Sequence, residues 1–230
     1  MKMIFDDAFR EELKQEPHHY GEVTFLESVL EPGMNVIEIG GNRGVTALSI
    51  GRAVQDTGHV YVFEPVPDFY TELESNVSQN SMHNMTLFNR GLSSESGRCP
   101  FYRHGDGSGV TESDDAELIE VEMTTLDGFM QEPDVRTPVH MINMDCEGSE
   151  LNVLKSGMNT LRRDRSAVFC EVHAGYLGQL GQSVDDIVNL LKDVGYSVKP
   201  VQAEELDSEP SYDTCSHVFA CGNQAILDCI

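Results

Sequence analysis

The sequence predicts an α/β fold with a mostly parallel sheet, and three observations lead to this prediction. Short apolar runs typical of buried strands alternate with longer amphipathic segments typical of helices. Strands separated by helices of this length form right-handed crossover units, which place the strands side by side in parallel. A chain of 230 residues, 40% of them hydrophobic, is long enough to bury one such core. We therefore expect a single domain over residues 1–230.

The order of the elements follows from the apolar periodicity. The apolar runs predict strands at 35–39, 59–64, 85–89, 140–145, 167–172 and 217–221. Amphipathic spacing predicts helices at 46–54, 67–80, 149–164 and 183–196. Ser183 and Asp186 have the spacing of a capping box, which predicts where the last of these helices begins. Residues 1–30 are expected to form a helical segment with a break at "EPHHYG".

Residues 97–125 interrupt this alternation. They begin with the polar, glycine-rich "RCPFYRHGDGSGVTESDD" and end with the alternating "ELIEVEMTTL". This pattern predicts a β-hairpin or an extended excursion from the sheet, close to where an acceptor would bind. The stretch from Gly105 to Asp115 has few apolar anchors, so we expect it to be mobile without ligand and ordered on binding.

The net charge of −24 restricts the partners of the protein. A phosphate backbone or an anionic membrane surface would be repelled, so neither a nucleic acid nor a membrane is expected. The sequence contains no apolar run of 18 residues and no pattern of a signal peptide. The six cysteines include no CxxC pair, and two lie in apolar runs, which favours buried thiols in a reducing cytoplasm over disulfides or a zinc site.

A glycine-rich turn follows the first predicted strand in "VIEIGGNRG" and indicates a nucleotide-like ligand. The dinucleotide fingerprint G-x-G-x-x-G is not matched, because Asn42 stands where the middle glycine would be. Glu38 lies at the end of the strand, where it would repel a pyrophosphate. A ligand with ammonium and sulfonium groups would tolerate this carboxylate, so the turn favours S-adenosylmethionine over NAD.

A second acid supports an adenosine ligand without choosing between these two. Glu64 ends the second strand in "YVFEP", 26 positions beyond Glu38 and directly before Pro65. A carboxylate in this position can accept hydrogen bonds from both ribose hydroxyls. The alternative is a surface acid without a ligand, which fits less well after an apolar strand.

Four segments together resemble one family. They are "LEPGMNVIEIGGNRGVTALSI", "VYVFEPVPDFYTELESNV", "TTLDGF" and "INMDCEGSELNVLKSG", and they follow one another in the order of the FkbM family of S-adenosylmethionine-dependent methyltransferases. That family has D-x-G-A-N-x-G, FEP-x-P, TLDD and K-x-D-v-E-G-a-E-x-x-v-L-x-G. The resemblance covers about Leu30 to Glu171. Glu38 stands where aspartate is usual, Gly41 replaces alanine, and Asn143 replaces a common lysine.

The resemblance implies a class I methyltransferase (Rossmann-like) fold. We expect a mostly parallel seven-stranded sheet with helices on both faces and with the seventh strand antiparallel to the rest. The implied cofactor is S-adenosyl-L-methionine, and the implied reaction is methyl transfer to a hydroxyl on a sugar or other small molecule. Cofactor binding is assigned to seven positions: Glu38, Gly40, Asn42, Gly44, Glu64, Pro65 and Asp145.

The catalytic groups are expected at the carboxyl ends of the fourth and fifth strands. Asp145 and Glu147 follow the fourth strand, and His173 follows the fifth beyond Glu171. A hydroxyl acceptor must lose a proton, and His173 or one of the two carboxylates could take it. A role in capping the next helix competes with function for Asp145 and Glu147, and it is sufficient to explain Glu150.

A metal site is not predicted. Asp145, Glu147, Glu171 and His173 could hold a divalent ion, but nothing in the sequence fixes their spacing as ligands. The pair His18 and His19 is weak evidence by itself. Two alternative functions remain, an NAD-dependent oxidoreductase and a binding protein without catalysis on the same fold.

Overall fold

The computed structural model describes residues 3–112 and 115–222, so residues 113 and 114 of the segment expected to be mobile lie outside the described residues, as does Cys229. The described residues form ten strands, numbered along the chain. They are β1 (Asn35–Ile39), β2 (His59–Phe63), β3 (Met85–Phe88), β4 (Gly91–Leu92), β5 (Gly97–Arg103), β6 (Glu117–Thr124), β7 (Met141–Met144), β8 (Ala167–Glu171), β9 (Ser197–Val201) and β10 (His217–Cys221).

Helices connect these strands. They are α1 (Asp7–Leu13), α2 (Pro17–Val29), α3 (Val45–Val54), α4 (Pro67–Gln79), α5 (Leu126–Phe129), α6 (Glu150–Ser156), α7 (Met158–Asp164), α8 (Ala174–Gln179) and α9 (Val184–Asp193). The predicted capping box at the start of α9 is confirmed, because the Ser183 hydroxyl accepts from the Asp186 backbone while the Asp186 carboxylate accepts from the Ser183 backbone. Within the described ranges, no helix is both long and apolar enough to cross a membrane.

The main sheet has seven strands in the spatial order β3-β2-β1-β7-β8-β10-β9. β10, the seventh of these strands along the chain, runs antiparallel to β8 and β9, and the other neighbours pair in parallel. The predicted sheet with an antiparallel seventh strand is therefore confirmed. A smaller sheet has the order β4-β6-β5. In it, residues 97–103 of β5 pair antiparallel with residues 117–123 of β6.

Apolar residues cover both faces of the main sheet, as predicted for helices on both sides. One face packs Ile37, Ile142 and Val168 against residues of α5 to α9. The other packs Val36, Val62, Phe169 and Phe219 against residues of α1 to α4. A third cluster joins the small sheet to α4 through Val66, Phe69, Phe101, Val121 and Met123. The small sheet is thereby held at the edge of the main one.

Helix α2 is anchored to the sheet by aromatic rings. The Phe25 ring stacks on Phe169 with centroids 4.3 Å apart and meets Phe219 edge-on at 5.2 Å. All three side chains are buried, and each such burial contributes roughly 1.5–3 kcal/mol. One turn before Phe25, α2 passes so close to the turn at 203–205 that only glycine fits at position 21.

Two predicted elements differ from the structure, and some elements of the structure were not predicted. The helix predicted at 149–164 is two helices separated at Gly157, where an added side chain would overlap Leu126 of α5. The break in the N-terminal segment lies at residues 14–16 and includes only the first residue of "EPHHYG", since proline at the first helical position begins α2. Neither β9 nor α8 was predicted, and β9 contains Pro200, which weakens its strand pattern.

The strand order reverses between β1 and β7, and this reversal positions the site. The chain leaves β1 toward β2 on one side, while β7 lies on the other side of β1. Connections that diverge from the carboxyl ends of neighbouring strands leave a crevice between them, where open α/β sheets bind their ligands.

Gly21→Ala should destabilise the protein although alanine is the better helix former. The new Cβ would lie 1.6 Å from the Ala203 carbonyl oxygen, so α2 must move away from the turn. We expect a loss of about 1–3 kcal/mol in the free energy of unfolding, the usual cost of overpacking. Gly175→Ala in α8 is the matched control, because nothing lies within 4 Å of its added Cβ. Denaturant unfolding of both variants measures the difference, and equal stabilities would contradict the close approach.

Candidate active site

A cleft of about 540 Å³ opens at the carboxyl ends of β1, β2 and β7, where the strand order reverses. Its walls come from the glycine turn after β1, the end of β2, the start of α4, the small sheet and the turn after β7. The lining residues are Ile39, Gly40, Asn42, Phe63, Glu64, Pro65, Val66, Phe69, Gly91, Leu92, Phe101, Ser108, Met123, Asp145, Cys146, Glu147 and Ser149.

The floor of the cleft is the turn at Gly40, which is pressed between two strands. The backbone N–H groups of Gly40 and Gly41 both donate to the Phe63 carbonyl at 2.9 Å. Gly40 has φ of +89°, and an added Cβ would lie 1.7 Å from the Asp145 carbonyl oxygen. Only glycine fits this conformation and this space. Asn42, two residues after Gly40, has φ of +42°, and its backbone N–H points toward Glu64.

The Glu64 carboxylate holds this turn from the side of β2. Its Oε2 accepts from the Asn42 backbone at 2.8 Å, and its Oε1 accepts from the Val66 backbone at 2.7 Å. Burial raises the pKa of Glu64 to about 7, because the two backbone donors only partly offset the loss of solvent. Each carboxylate oxygen can accept a second hydrogen bond, so the group remains available to a ligand in the cleft.

Glu38 lies behind the cleft instead of lining it. Its carboxyl group is almost fully buried, with Oε1 2.5 Å from the Thr46 hydroxyl and Oε2 2.8 Å from the Asn143 amide nitrogen. Burial raises the pKa of Glu38 to about 8, more than these two donors lower it. Glu38 and Asn143 thus form a neutral pair at pH 7, which ties β1 to β7 beneath the turn.

His173 brings the predicted catalytic residues together. Its Nε2 lies 3.2 Å from Glu147 Oε2 and 3.6 Å from Asp145 Oδ1. Two further carboxylates complete the surroundings: Glu171 Oε1 lies 3.5 Å from Nε2, and Glu150 Oε1 lies 2.8 Å from Nδ1. Among these acids, Glu150 is fully buried and also accepts from the Gly148 backbone. The ring therefore has a carboxylate at each nitrogen.

The carboxylates keep His173 protonated. Burial alone would lower the pKa of His173, but the bonds to Glu150 and Glu171 and the charges of Asp145 and Glu147 raise it to about 11. Burial and the nearby Glu171 raise the pKa of Asp145 well above its usual value. Although 40% of the Asp145 side chain is exposed, its Oδ1 is shielded and accepts no hydrogen bond from the described residues.

The predicted site residues thus fall into two groups. Lining the cleft together are Gly40, Asn42, Glu64, Pro65, Asp145 and Glu147, whereas Glu38, Gly44 and His173 support it from behind. Gly44, with φ of +100°, begins α3 against Leu73.

The apolar wall of the cleft, formed by two aromatic rings and a methionine, was not predicted. Phe69 comes from α4, Phe101 from β5 and Met123 from β6. The alternation of "ELIEVEMTTL" was the available signal for Met123.

The sheet and the turn define the class of the protein. A seven-stranded sheet with an antiparallel seventh strand, a glycine turn after β1 and a buried acid after β2 are the features of a class I methyltransferase. Residues 38–198 match the Methyltransferase FkbM domain, and the chain belongs to this family. The cofactor of this family is S-adenosylmethionine, so the match favours S-adenosylmethionine over the alternative of an NAD-dependent oxidoreductase.

Solved structures share this fold. Methyltransferase FkbM from Methylobacillus flagellatus KT is 15% identical, with 88% of this chain and 51% of that chain covered and a TM-score of 0.56. Streptococcus mutans SMU.1697c, in complex with SAH, is 13% identical over 86% and 94% of the two chains, with a TM-score of 0.52.

A SAM dependent methyltransferase from Aquifex aeolicus is 16% identical over 94% of this chain and 97% of that chain, with a TM-score of 0.50. At these identities the likeness shows the fold alone. The chain spans about half the length of the M. flagellatus protein. No curated protein matches the chain.

The raised pKa of Glu38 should make stability depend on pH. The folded protein binds a proton at Glu38 up to about pH 8, whereas the unfolded chain releases it near pH 4.5. Stability from this group is therefore complete below pH 4.5 and declines as the pH rises through 8. Relative to Glu38→Gln, which stays neutral, the wild type should lose up to about 1.4 kcal/mol per pH unit between pH 6 and 8. Urea unfolding at several pH values measures this, and parallel curves for the two proteins would show that Glu38 is ionised in the fold.

Proposed function

We propose that the protein transfers the methyl group of S-adenosylmethionine to a hydroxyl of a sugar or other small molecule. The observation that carries the proposal is the position of the Asp145 and Glu147 carboxylates in the same cleft as the glycine turn. A hydroxyl is a weak nucleophile, and it needs a base within hydrogen-bond reach.

The cofactor would lie across the glycine turn, and five described residues would contact it. In this proposal Gly40, Asn42 and Pro65 shape the floor, Glu64 accepts hydrogen bonds from the ribose hydroxyls, and Asp145 lies near the methionine part. Gly44 would act by starting α3, and Glu38 by holding the turn in place. Both oxygens of Glu64 are already oriented by backbone donors, so the carboxylate would be held ready for the ligand.

The reaction is a displacement at carbon. The acceptor oxygen forms a bond to the methyl carbon while the carbon–sulfur bond breaks, and the electron pair stays on sulfur as S-adenosylhomocysteine is released. The proton of the acceptor passes to a carboxylate. Alignment of oxygen, carbon and sulfur could supply on the order of 7–11 kcal/mol, and the base a further 10²–10⁴-fold or so in rate.

Asp145 is the proposed base. The three expected candidates were Asp145, Glu147 and His173, and an imidazolium with a pKa of about 11 has no free lone pair to accept a proton near pH 7. A carboxylate with a raised pKa is a stronger base than an ordinary one, and part of Asp145 is exposed to the cleft. His173 would then be a positioning residue, whose charge keeps Asp145 and Glu147 side by side.

The walls of the cleft favour an uncharged or cationic acceptor. Its described lining contains three carboxylates, from Glu64, Asp145 and Glu147, and no basic side chain. The rings of Phe69 and Phe101 offer apolar surface of the kind that packs against the faces of sugars or aromatic groups. With a net charge of −24, the whole protein would repel a polyanionic acceptor.

Binding of S-adenosylhomocysteine should depend on the ionisation of Glu64. The pKa of about 7 means that the carboxylate forms as the pH rises from 6 to 8, so affinity should increase over this range. Glu64→Ala should weaken binding by about 1.5–3 kcal/mol, the range for hydrogen bonds to a charged group, and should abolish the pH dependence. Calorimetric titration measures both effects.

Glu74→Ala, which removes an exposed acid of α4, is the control for the titration. A thermal melt of Glu64→Ala is also required, since the variant leaves two backbone N–H groups without their acceptor. A folded Glu64→Ala protein with wild-type affinity would refute the assignment.

Asp145→Asn should lower the rate of methyl transfer by roughly 10²–10⁴-fold while S-adenosylhomocysteine affinity changes only a few-fold, because the lost interaction belongs to the transition state. Glu147→Gln should have a smaller effect. Asp193→Asn, at an exposed position on α9, is the matched control. The assay follows labelled methyl transfer to a panel of sugars and small alcohols.

His173→Gln separates positioning from proton transfer. Loss of the positive charge should raise the pKa of the neighbouring carboxylates, so the acid limb of the pH–rate profile should move to higher pH. Wild-type rates and profiles in all these variants would mean that alignment alone accounts for catalysis. A protein that binds the cofactor but methylates none of the panel would favour the binding-protein alternative.

A further inference from the structure

Four potential metal ligands meet on the α2 side of the main sheet, behind the cleft. His18 and Glu22 come from α2, Glu171 from the end of β8 and His217 from the start of β10, and we call them the α2 cluster. One ligand atom from each side chain can be chosen so that all four lie within 4.8 Å of one another. Glu22 and His217 are buried, and His18 and Glu171 are partly exposed.

The fold brings these side chains together for simple reasons. His18 and Glu22 are four residues apart on α2, so they project from the same face of the helix. Glu171 and His217 are directly opposite in the antiparallel pairing of β8 with β10, so they project from the same face of the sheet. The aromatic contacts of Phe25 hold α2 over that face.

Two distances within the α2 cluster match the spacing of tetrahedral ligands. His18 Nε2 lies 3.3 Å from Glu171 Oε1, and His217 Nε2 lies 3.2 Å from Glu22 Oε1. The other carboxylate oxygens are farther away: His18 Nε2 lies 3.9 Å from Glu22 Oε2, and His217 Nε2 lies 4.0 Å from Glu171 Oε2. Zinc–nitrogen and zinc–oxygen bonds of about 2.0–2.1 Å place tetrahedral ligands roughly 3.3 Å apart, so the wider separations, which are all within 4.8 Å, would shorten when an ion binds.

Outer partners already orient the ligands. The Ser216 hydroxyl lies 2.8 Å from His217 Nδ1, on the side of the ring away from the cluster. The His217 ring also stacks on Phe169 with centroids 4.3 Å apart, which fixes its plane. On the other side, His19 Nδ1 lies 3.0 Å from Glu22 Oε2. Metal-binding histidines and carboxylates are held by outer hydrogen bonds of this kind.

The charges of the cluster call for a cation. Within the described chain, the ion-pair partners of Glu22 and Glu171 are all histidines, with no lysine or arginine among them. Glu171 also faces His173, beside which stand Asp145 and Glu147. A divalent ion would neutralise the carboxylates of Glu22 and Glu171, and neutral imidazoles would act as its other ligands.

We propose that His18, Glu22, Glu171 and His217 bind one divalent transition-metal ion of the zinc type. Imidazole nitrogens favour such ions over magnesium and calcium, which prefer oxygen ligands. Four protein ligands leave no open position, which is the pattern of a structural site. The ion would fasten α2 to β8 and β10 and would fix Glu171 next to His173. The proposal does not depend on the identity of the methyl acceptor.

The test uses the full chain without an affinity tag, stripped of metal with a chelator and dialysed. Zn²⁺ is titrated calorimetrically, and Co²⁺ is used as a spectroscopic probe because its visible absorption is intense in tetrahedral coordination. We expect one ion per chain, a tetrahedral Co²⁺ spectrum and a higher Tm with Zn²⁺, since a ligand that binds only the folded state stabilises it. Excess Mg²⁺ should produce none of these effects.

Two ligand variants and one control complete the experiment. His18→Gln and His217→Gln should each weaken Zn²⁺ binding at least about tenfold and abolish the rise in Tm. His83→Gln, at an exposed position outside the cluster, should bind like the wild type. His18 is 29% exposed, so His18→Gln should fold even if replacement of the buried His217 prevents folding.

Three outcomes would overturn the proposal. In the first, the wild type binds Zn²⁺ no more tightly than His18→Gln. In the second, the Co²⁺ spectrum is that of a six-coordinate ion. In the third, binding is lost in His173→Gln but kept in His18→Gln, which would place the ion on the neighbouring group of Asp145, Glu171 and His173 instead.

Discussion

The close approach of Gly40 to β7 is the constraint on which the site depends. The backbone of the turn lies against the Asp145 carbonyl on one side and donates to the Phe63 carbonyl on the other, so it joins the three strands whose ends form the cleft. A side chain at position 40 would separate β1 from β7 at the point where the strand order reverses. The same turn orients Glu64, because this carboxylate accepts a hydrogen bond from the backbone N–H of Asn42, two residues after Gly40.

Histidines, instead of lysines or arginines, balance the acids behind this turn. His173 and the α2 cluster share Glu171, so one carboxylate connects the cleft to the N-terminal helices. Glu38, beneath the turn, has no charged partner. Burial keeps it neutral, and it pairs with the uncharged Asn143, although a lysine is common at position 143 in the family. Charge is thus concentrated around His173, Asp145 and Glu147 and is absent beneath the floor of the cleft.

The sequence was sufficient for the elements whose signals are local. Apolar alternation predicted six strands of the main sheet, and the Ser183–Asp186 spacing predicted the start of α9. β9 was missed because Pro200 and polar residues obscure its pattern. The close approach of Gly157 to Leu126, at the division of α6 from α7, joins residues that are distant in sequence. The buried position of Glu22 could not be predicted, since its partner His217 comes from β10, which is distant in sequence.

For the candidate site, six of the residues that sequence reasoning selected line the cleft, but their protonation states were not predicted. Motif order was enough to bring Asp145, Glu147 and His173 to one edge of the sheet. The protonation of His173 could not be predicted, because it depends on Glu150, whose position in the first turn of α6 suggested only a helix cap. Interatomic distances of a few ångströms between separate elements decide pKa values, and no pattern within one element encodes them.

The position of β10 between β8 and β9 also bears on how the chain is made. β9 is synthesised before β10, yet its neighbour in the described sheet is β10. As the chain leaves the ribosome, β8 therefore keeps an open edge, and β9 has no strand to pair with, until residues 217–221 emerge. Strand edges exposed in this way are sites of misassembly during synthesis. Completion of the sheet, with Glu171 brought opposite His217, must be a late event in the folding of the nascent protein.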